Sequence, residues 1–305
     1  MSRWGFGWMG SKNGIAEELV SILPAGECLV DLFAGGCAIT HCAMVKGWHK
    51  WKRFIANDIK DTAVFFKQAI EGKVPNLYEW ISREDFVARR DHDVKVAACW
   101  SFGNNGADYL WSYDTMDVKL AAFKMLTLPT VEARYAAYKE FIAELEKLQS
   151  TKPLGQLEFL QRLQSLQVLN GIKGVQDVCD LALLSVFACD YQEVPIPDGA
   201  VVYADPPYDS THDYGTDFDS SEFWQWVDAQ PFPVFVSEYS APAGFSEIWS
   251  RQKRCVLGSC AHAKQTTERL FVQERFADTY RPKVSQADLF VDDVDDEALQ
   301  NAVNL

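Results

Sequence analysis

The sequence lacks several features that would place it in large classes of proteins. No run of about 18 uninterrupted apolar residues is present, so no segment is predicted to span a membrane. The start, Met1-Ser2-Arg3-Trp4-Gly5, has no basic-then-apolar pattern of a signal peptide, which predicts a cytoplasmic location. The eight cysteines form no C-x-x-C pair, and none stands with histidines at zinc-ligand spacing. We therefore expect reduced thiols and no structural metal.

Positive charge is also scarce in this chain. Its 29 Lys and Arg residues are outnumbered by 43 Asp and Glu residues, which gives a net charge of −14. Six acids between positions 288 and 297 contribute part of this, and the rest of the chain has a net charge of about −8. A protein that binds nucleic acid needs local rather than total positive charge. The acidity therefore argues against tight nonspecific DNA binding but does not exclude DNA as a partner.

The 305 residues suffice for one large domain or two smaller ones, and apolar runs indicate an α/β fold. Residues 28–33 predict a buried strand, followed by a loop of small residues at 34–37, a helix at 38–46 and a second strand at 54–56. This order is typical of the start of a parallel sheet with crossover helices.

After residue 75 the sequence no longer has the apolar runs typical of strands, so we predict an inserted, mostly helical subdomain at 76–165. Its last part, 157–169, repeats Leu and Gln at helical spacing. Sheet patterns then return. The predicted elements are an apolar segment at 181–187, strands at 200–204 and 234–237, a helix at 221–229, a last antiparallel strand at 270–272, and an acidic flexible tail at 285–305.

The strand at 200–204 continues directly into Asp205-Pro206-Pro207-Tyr208. An Asp at the carboxyl end of a strand lies in the ligand crevice of an open α/β sheet. Two prolines remove two amide donors and leave carbonyl acceptors. A carboxylate and a carbonyl can bind both hydrogens of an amino group while the tyrosine stacks on the ring that bears it. This motif predicts methyl transfer to a conjugated amine, although a Pro-Pro loop that merely ends a strand stays open.

A glycine-containing loop indicates a cofactor site. In Asp31-Leu32-Phe33-Ala34-Gly35-Gly36-Cys37 the two glycines permit close approach of a ligand between strand and helix, but the spacing is not G-x-G-x-x-G. Asp58 ends the next strand and is placed to accept hydrogen bonds from ribose hydroxyls. Either feature alone is equally compatible with an ordinary strand connection. Together they indicate a cofactor with a ribose.

With these motifs, the chain resembles the DNA adenine methylase family, in particular its phage and prophage branch. The resemblance runs in order over most of the chain. One departure is Cys37, which stands where many members have the second glycine of the loop. The matching elements are Trp8-Met9-Gly10-Ser11-Lys12 (W-x-G-x-K), Phe33-Ala34-Gly35-Gly36 (F-x-G-x-G), Asn57-Asp58-Ile59, Cys189-Asp190-Tyr191, residues 202–208 with the catalytic motif, and the segments 101–106 and 236–239 of the phage branch.

The resemblance implies a Rossmann-like sheet of an S-adenosylmethionine-dependent methyltransferase, built from residues 1–75 and 166–284, with a target-recognition insertion at 76–165. It implies methylation of the exocyclic amine of a flipped adenine in double-stranded DNA, in a bacterial or phage-infected cell. The implied catalytic residues are Asp205, Pro206, Pro207 and Tyr208. The implied residues of the S-adenosylmethionine site are Trp8, Lys12, Asp31, Phe33, Ala34, Gly35, Gly36, Asp58, Ile59, Asp190, Tyr191 and Asp205.

The insertion also has candidates for DNA contact. Asn104, Asn105 and Tyr109 have side chains able to read bases or stack on them, although an ordinary subdomain loop explains them equally well. Lys264, in a segment that resembles a late part of the family near the DNA entrance, is a further candidate. The basic residues Arg83, Arg89, Arg90 and Lys95 could contact phosphates or form a solvated face, since acids alternate with them.

Other functions stay open at the level of sequence. The same chemistry serves amines in RNA or protein, although those loops carry Asn where Asp205 stands. The fold could also persist in a non-catalytic protein that binds the cofactor or a clamp, and the α/β pattern alone would allow a nucleotide-dependent oxidoreductase. In the tail, Gln286-Ala287-Asp288-Leu289-Phe290 resembles the peptide by which bacterial replication proteins bind the sliding clamp, which predicts the clamp as a second partner.

Overall fold

The computed structural model describes residues 4–76, 79–151, 181–207, 218–255 and 264–280. Within them seven strands form one sheet in the order β3-β2-β1-β4-β5-β7-β6. Strands β1 to β5 run parallel, whereas β7 is antiparallel to both β5 and β6. The strands are β1 Cys28–Asp31, β2 Arg53–Asn57, β3 Leu184–Phe187, β4 Ala200–Ala204, β5 Val234–Glu238, β6 Phe245–Cys255 and β7 Lys264–Gln273.

Helices follow most strands, as crossover connections in a parallel sheet require. The helix predicted at 38–46 is confirmed at both ends, and the one predicted at 221–229 begins one residue earlier. Asp219 begins that helix because its carboxylate accepts a hydrogen bond from the Glu222 amide. The helices are α1 Ala16–Ile22, α2 Ala38–Lys46, α3 Thr62–Ile70, α4 Arg83–Arg89, α5 Val94–Trp100, α6 Met116–Thr127, α7 Val131–Thr151, α8 Ser220–Ala229 and α9 Glu274–Tyr280.

The central strands are buried on both faces, which explains why their sequences are continuous apolar runs rather than alternating ones. Alternate residues of each strand face opposite sides of the sheet. Leu29, Tyr203 and Phe235 belong to the hydrophobic cluster that includes residues of α1 to α3. Val30 and Val202 belong to the cluster on the other face, which includes residues of α8.

The order of the strands determines where a ligand binds. The chain passes from β1 to β2 and β3 on one side, and then crosses to β4 and β5 on the other side of β1. In open α/β sheets the crevice outside the carboxyl ends of the strands at such a switch point is the ligand site. Asp31, Asp58 and Asp205 end or directly follow β1, β2 and β4. The three acids chosen from sequence therefore lie at one edge of the sheet. This mixed, mostly parallel α/β sheet is consistent with a methyltransferase fold.

Between α3 and β3 the described residues form helices α4 to α7 and no strand, in agreement with a mostly helical segment. The segment has hydrophobic clusters of its own, one of them around Trp80, Trp100, Trp111 and Phe123. Leu128 adopts an extended conformation before Pro129, and this separates α6 from α7. The helix predicted at 157–169 lies outside the described residues. The boundaries of the insertion and its role in target recognition stay predictions.

Two further findings concern the sequence predictions. The last antiparallel strand is confirmed and is longer than predicted, as β7 begins at Lys264. The sequence does not predict β6, which forms the edge of the sheet beside β7. In the described ranges, no helix has both the length and the apolar character needed to cross a membrane.

Candidate active site

An N-terminal loop, residues 5–12, lies directly on the glycine loop at residues 34–37. The Phe6 amide donates a hydrogen bond of 2.9 Å to the Gly36 carbonyl. A Cβ atom added to Gly36 would lie only 2.3 Å from the Phe6 carbonyl oxygen, and one added to Gly35 would lie 3.2 Å from Cδ1 of Trp8. The two backbones therefore approach too closely for a side chain at Gly36. This contact brings Trp8 and Lys12 to the carboxyl edge of the sheet.

Cys37 adopts the conformation for which the family's glycine is suited. Its φ of 58° lies in the left-handed region, where residues with a Cβ are disfavoured, and it directly precedes α2. Its amide donates a hydrogen bond of 2.6 Å to the Ala34 carbonyl, which closes the loop as a tight turn. The thiol is fully buried, and burial raises the pKa of Cys37 well above its usual value. The loop therefore closes in this chain despite the substitution of glycine by cysteine.

Asp58 is fixed against the glycine loop. Its Oδ2 accepts a hydrogen bond of 2.9 Å from the Gly35 amide, and its Oδ1 accepts one of 2.9 Å from the Lys60 amide. Each carboxylate oxygen can accept a further hydrogen bond. Burial raises the pKa of Asp58 above its usual value. Ile59, the next residue, is 59% exposed at the edge of this site.

The third predicted part of the cofactor site follows β3. Tyr191 is buried, and its ring centroid lies 5.4 Å from that of Phe33, which follows β1. Asp190 is exposed, and its Oδ1 accepts a hydrogen bond of 2.9 Å from the Gln192 amide. Two aromatic rings and an exposed carboxylate therefore lie together beyond the carboxyl ends of β1 and β3.

Asp31, the last residue of β1, is a buried acid. Thr40 on α2 donates a hydrogen bond of 2.8 Å to its Oδ2, whereas its Oδ1 has no hydrogen-bond partner within the described part of the chain. Burial is the main cause that raises the pKa of Asp31 to about 7; the nearby carboxylates of Asp205 and Asp58 also raise this pKa, whereas the hydrogen bond from Thr40 lowers it. The buried Asp31 is therefore either protonated and neutral, or its Oδ1 is an acceptor without a hydrogen-bond partner among the described residues.

This raised pKa predicts a pH-dependent stability. The folded protein binds the Asp31 proton more tightly than the unfolded chain, so the contribution is complete below about pH 4 and is lost as the pH rises through about 7. Asp31→Asn stays neutral at every pH. We expect its free energy of unfolding, relative to the wild type, to increase by on the order of 2 kcal/mol from about pH 5 to about pH 8. Urea unfolding at both pH values measures this, and an unchanged difference would contradict the assignment.

Lys12 connects the N-terminal loop to the catalytic motif. Its Nζ lies 2.7 Å from Oδ1 of Asp205 and 3.8 Å from Oε2 of Glu268 on β7. The side chains of Lys12 and Glu268 are 4% and 6% exposed, and that of Asp205 is 17% exposed. A lysine and two acids therefore form a compact charged cluster at the carboxyl edge of the sheet.

The catalytic motif begins on well-fixed backbone. Tyr203, in β4, forms a 2.8 Å hydrogen bond with the Ser237 hydroxyl of β5, and burial raises the pKa of the Tyr203 hydroxyl well above its usual value. Pro206 is buried and Pro207 is partly exposed. Tyr208 lies outside the described residues, so its stacking on the target base stays a prediction.

The predicted DNA contacts lie in the helical segment, where their side chains bond within the chain. The Tyr109 hydroxyl donates a hydrogen bond of 2.7 Å to the Ile81 carbonyl, and its ring is buried. Oδ1 of Asn105 accepts hydrogen bonds from two backbone amides of its own turn. The side-chain amide of Asn104 donates a hydrogen bond to the Ala98 carbonyl, and the backbone carbonyl of Asn104 accepts one from the Met9 amide. A role of these residues in DNA binding stays a prediction, as does that of Lys264 at the start of β7.

The basic residues of α4 and α5 also have partners within the chain. Arg89 forms ion pairs with Glu79 and Asp93, and Lys95 pairs with the same Glu79 at 2.9 Å. Arg83 donates a hydrogen bond to the Trp111 carbonyl, and Arg90 donates one to that of Ala107. Arg83 and Arg90 thereby hold the segment at 101–113 against α4.

The fold and the arrangement of the candidate site are consistent with a methyltransferase. A mostly parallel sheet has a glycine loop after β1, a carboxylate after β2 and an Asp-Pro-Pro turn after β4, an arrangement suited to binding a nucleoside-bearing donor beside an amine. Residues 8–95 match the family of D12 class N6 adenine-specific DNA methyltransferases. This segment is thereby identified as part of an adenine-specific DNA methyltransferase domain of this class, which confirms the resemblance to the DNA adenine methylase family over residues 8–95.

The match covers the N-terminal loop from Trp8, the glycine loop, Asp58 and the helical segment as far as Lys95. It does not include the Asp205 turn or Glu268, so the roles of those residues depend on the geometry of the site. No curated protein matches the chain significantly.

Proposed function

We propose that this enzyme transfers a methyl group from S-adenosylmethionine to the exocyclic amine of an adenine that has been flipped out of duplex DNA. The observation that carries the proposal is the contact between Lys12 and Asp205. It connects the loop that covers the glycine turn to the acid that ends β4. The donor site and the acceptor of the target amine thereby share one edge of the sheet, which in-line transfer requires.

The residues at this edge fit S-adenosylmethionine. Gly36 permits the close approach of the N-terminal loop that places Trp8 beside Gly35, and Asp58 has lone pairs for ribose hydroxyls. Phe33 and Tyr191 offer apolar rings to an adenine. When bound, S-adenosylmethionine supplies a methyl group made electrophilic by a positively charged sulfur. The acids at this edge favour such a cation.

Asp205 makes the nitrogen of the target amine a better nucleophile. The lone pair of adenine's amine is delocalised into the ring, which makes the nitrogen a poor nucleophile. The Asp205 carboxylate and a carbonyl of the following turn accept one hydrogen bond each from the amine and thereby favour a tetrahedral nitrogen with a localised lone pair. S-adenosylmethionine, held by Asp58 and beside the rings of Phe33 and Tyr191, would supply the methyl group to this nitrogen, and its sulfur would keep the electron pair of the carbon–sulfur bond. The product nitrogen then releases one proton to solvent.

A transfer assay with purified protein tests this proposal. The protein is incubated with S-adenosylmethionine carrying a labelled methyl group and with unmethylated duplex DNA, RNA or protein extract. We expect the label to appear in N6-methyladenine after digestion of the DNA. Label in RNA or protein alone would instead favour the related amine methyltransferases, and a protein that binds S-adenosylmethionine without transfer would indicate a non-catalytic role.

Three further proposals concern the recognition of a DNA sequence, the location of the protein and the sliding clamp. Among the described residues, we propose the helical segment from α4 to α7 as the part that reads the DNA sequence and thereby makes the enzyme site-specific. We propose the cytoplasm of a bacterial or phage-infected cell as the location, because the DNA of such a cell lies there. The clamp-binding peptide at 286–290 lies outside the described residues, and no finding supports it.

A further inference from the structure

Glu268 is a buried acid that sequence analysis does not select. On β7 it shares a face with Leu270 and Val272, and both of these belong to the hydrophobic core. Its neighbour Arg269 pairs with Glu238, the last residue of β5. Because β7 is antiparallel to β5, Glu268 lies just beyond the carboxyl end of β5. Its carboxylate therefore lies at the same edge of the sheet as Asp205.

Two acids share the ammonium of Lys12 at this edge. Nζ is at hydrogen-bond distance from Asp205, at 2.7 Å, but is 3.8 Å from Glu268. The ion pair of two charged groups has its optimal length at about 2.8 Å. A movement of Nζ by about 1 Å therefore suffices to exchange its closer partner. Because Lys12 and Glu268 are both buried, neither charge can be compensated by water alone.

We propose that Glu268 is a positioning residue, which takes over Lys12 when Asp205 binds the target amine. This inference rests on the proposed function, because it needs Asp205 as the acceptor of the amine. An oxygen of Asp205 that already contacts an ammonium is a weaker acceptor for a neutral amine. With Glu268 as an alternative partner, Lys12 releases that oxygen while its charge stays compensated. Asp205 can then act with its full negative charge.

The test compares variants of Glu268 in single-turnover methyl transfer at saturating DNA and S-adenosylmethionine. Glu268→Gln keeps the shape but removes the charge, so Lys12 stays on Asp205. We expect the rate to fall roughly 10- to 100-fold, the range that follows from small errors of position in an active site. The dissociation constant of S-adenosylmethionine should change less than about threefold, because Glu268 acts through Lys12 and Asp205. Glu268→Asp keeps the charge and should recover part of the rate.

Glu247→Gln is the matched control. Glu247 lies on the neighbouring strand β6, and its half-exposed carboxylate pairs with Arg269 at 3.4 Å. Its removal should leave the rate as in the wild type. If Glu268→Gln transfers as fast as Glu247→Gln, the inference is wrong while the proposed function stands. If Glu268→Asp is as slow as Glu268→Gln, or if both lose S-adenosylmethionine, the role is structural and the inference is also overturned.

A second measurement does not depend on turnover. Lys12→Met, Glu268→Gln and the double variant form a double-mutant cycle in urea unfolding. In the wild type, Glu268→Gln removes an acid that pairs with Lys12, whereas in Lys12→Met it removes a buried charge that Lys12 no longer compensates. We therefore expect the two effects to be clearly non-additive. Additive effects would overturn the inference whatever the activity. A wild type that transfers no methyl group to DNA, with a non-additive cycle, would contradict the proposed function and the exchange at Asp205 together.

Discussion

Replacing Asp205 with alanine is expected to lower the rate of methyl transfer by roughly 100- to 1,000-fold or more, the loss typical of removing one preorganised group that stabilises developing charge. The change removes the acceptor that localises the lone pair of the target amine. The other acids of this edge are less available to an amine, since Asp31 is buried and bonded to Thr40, Asp58 is fixed by two backbone amides, and Glu268 is more deeply buried than Asp205. The rate is measured in single turnover with labelled S-adenosylmethionine.

The fold should survive this substitution. Asp205 is only partly buried, and Lys12 keeps Glu268 as an opposite charge within 3.8 Å. The urea midpoint of Asp205→Ala should therefore stay close to that of Asp228→Ala, a control in which an exposed acid paired with Arg275 is removed. Transfer at the wild-type rate in a folded Asp205→Ala variant would disprove the proposed mechanism.

Gly36→Ala should have the second largest effect, because it separates the two loops that form the donor site. The added Cβ would lie 2.3 Å from the Phe6 carbonyl oxygen, which is backbone and cannot rotate away. We expect a loss of roughly 1–3 kcal/mol in the free energy of unfolding, the usual effect of overpacking. Since the N-terminal loop also carries Trp8 and Lys12, S-adenosylmethionine should bind more weakly. Urea unfolding and titration with S-adenosylmethionine measure the two effects.

Gly14→Ala is the control for this variant. A Cβ at Gly14 would have no heavy atom within 4 Å, and its backbone does not need a positive φ. It should therefore fold and bind as the wild type does. Equal stability and equal affinity of the two alanine variants would show that the close approach of residue 36 to the N-terminal loop does not form the site.

The central sheet was predictable because its strands are buried on both faces and therefore appear as apolar runs. Strand β6 was not, because it lies at the edge of the sheet and contains Ser, Glu, Arg, Gln and Lys between its apolar residues. Such polar sequences are usual for edge strands, which must avoid pairing with other chains. Its existence follows from pairing with β7, the next strand along the chain, and the residue pattern of β6 alone does not indicate this pairing.

The site was predictable where a residue ends a strand, as for Asp31, Asp58 and Asp205. Glu268 gave a weaker signal, an acid that alternates with Leu270 and Val272 and so must face inward with them. What the sequence could not state is the contact of Lys12 with two acids, since residues 12, 205 and 268 meet only in the folded sheet. The hydrogen bond from the Met9 amide to the Asn104 carbonyl likewise joins residues that are distant in sequence.

The most direct test of the central claim is to map N6-methyladenine in the DNA of a host without methylation after expression of this chain. We expect modified adenines within one recognition sequence for the wild type, and none for Asp205→Ala expressed at the same level. This outcome would establish the activity and identify the sequence that is read. Unmodified adenines throughout the genome, despite a folded wild-type protein that binds S-adenosylmethionine, would contradict the assignment of DNA adenine as its substrate.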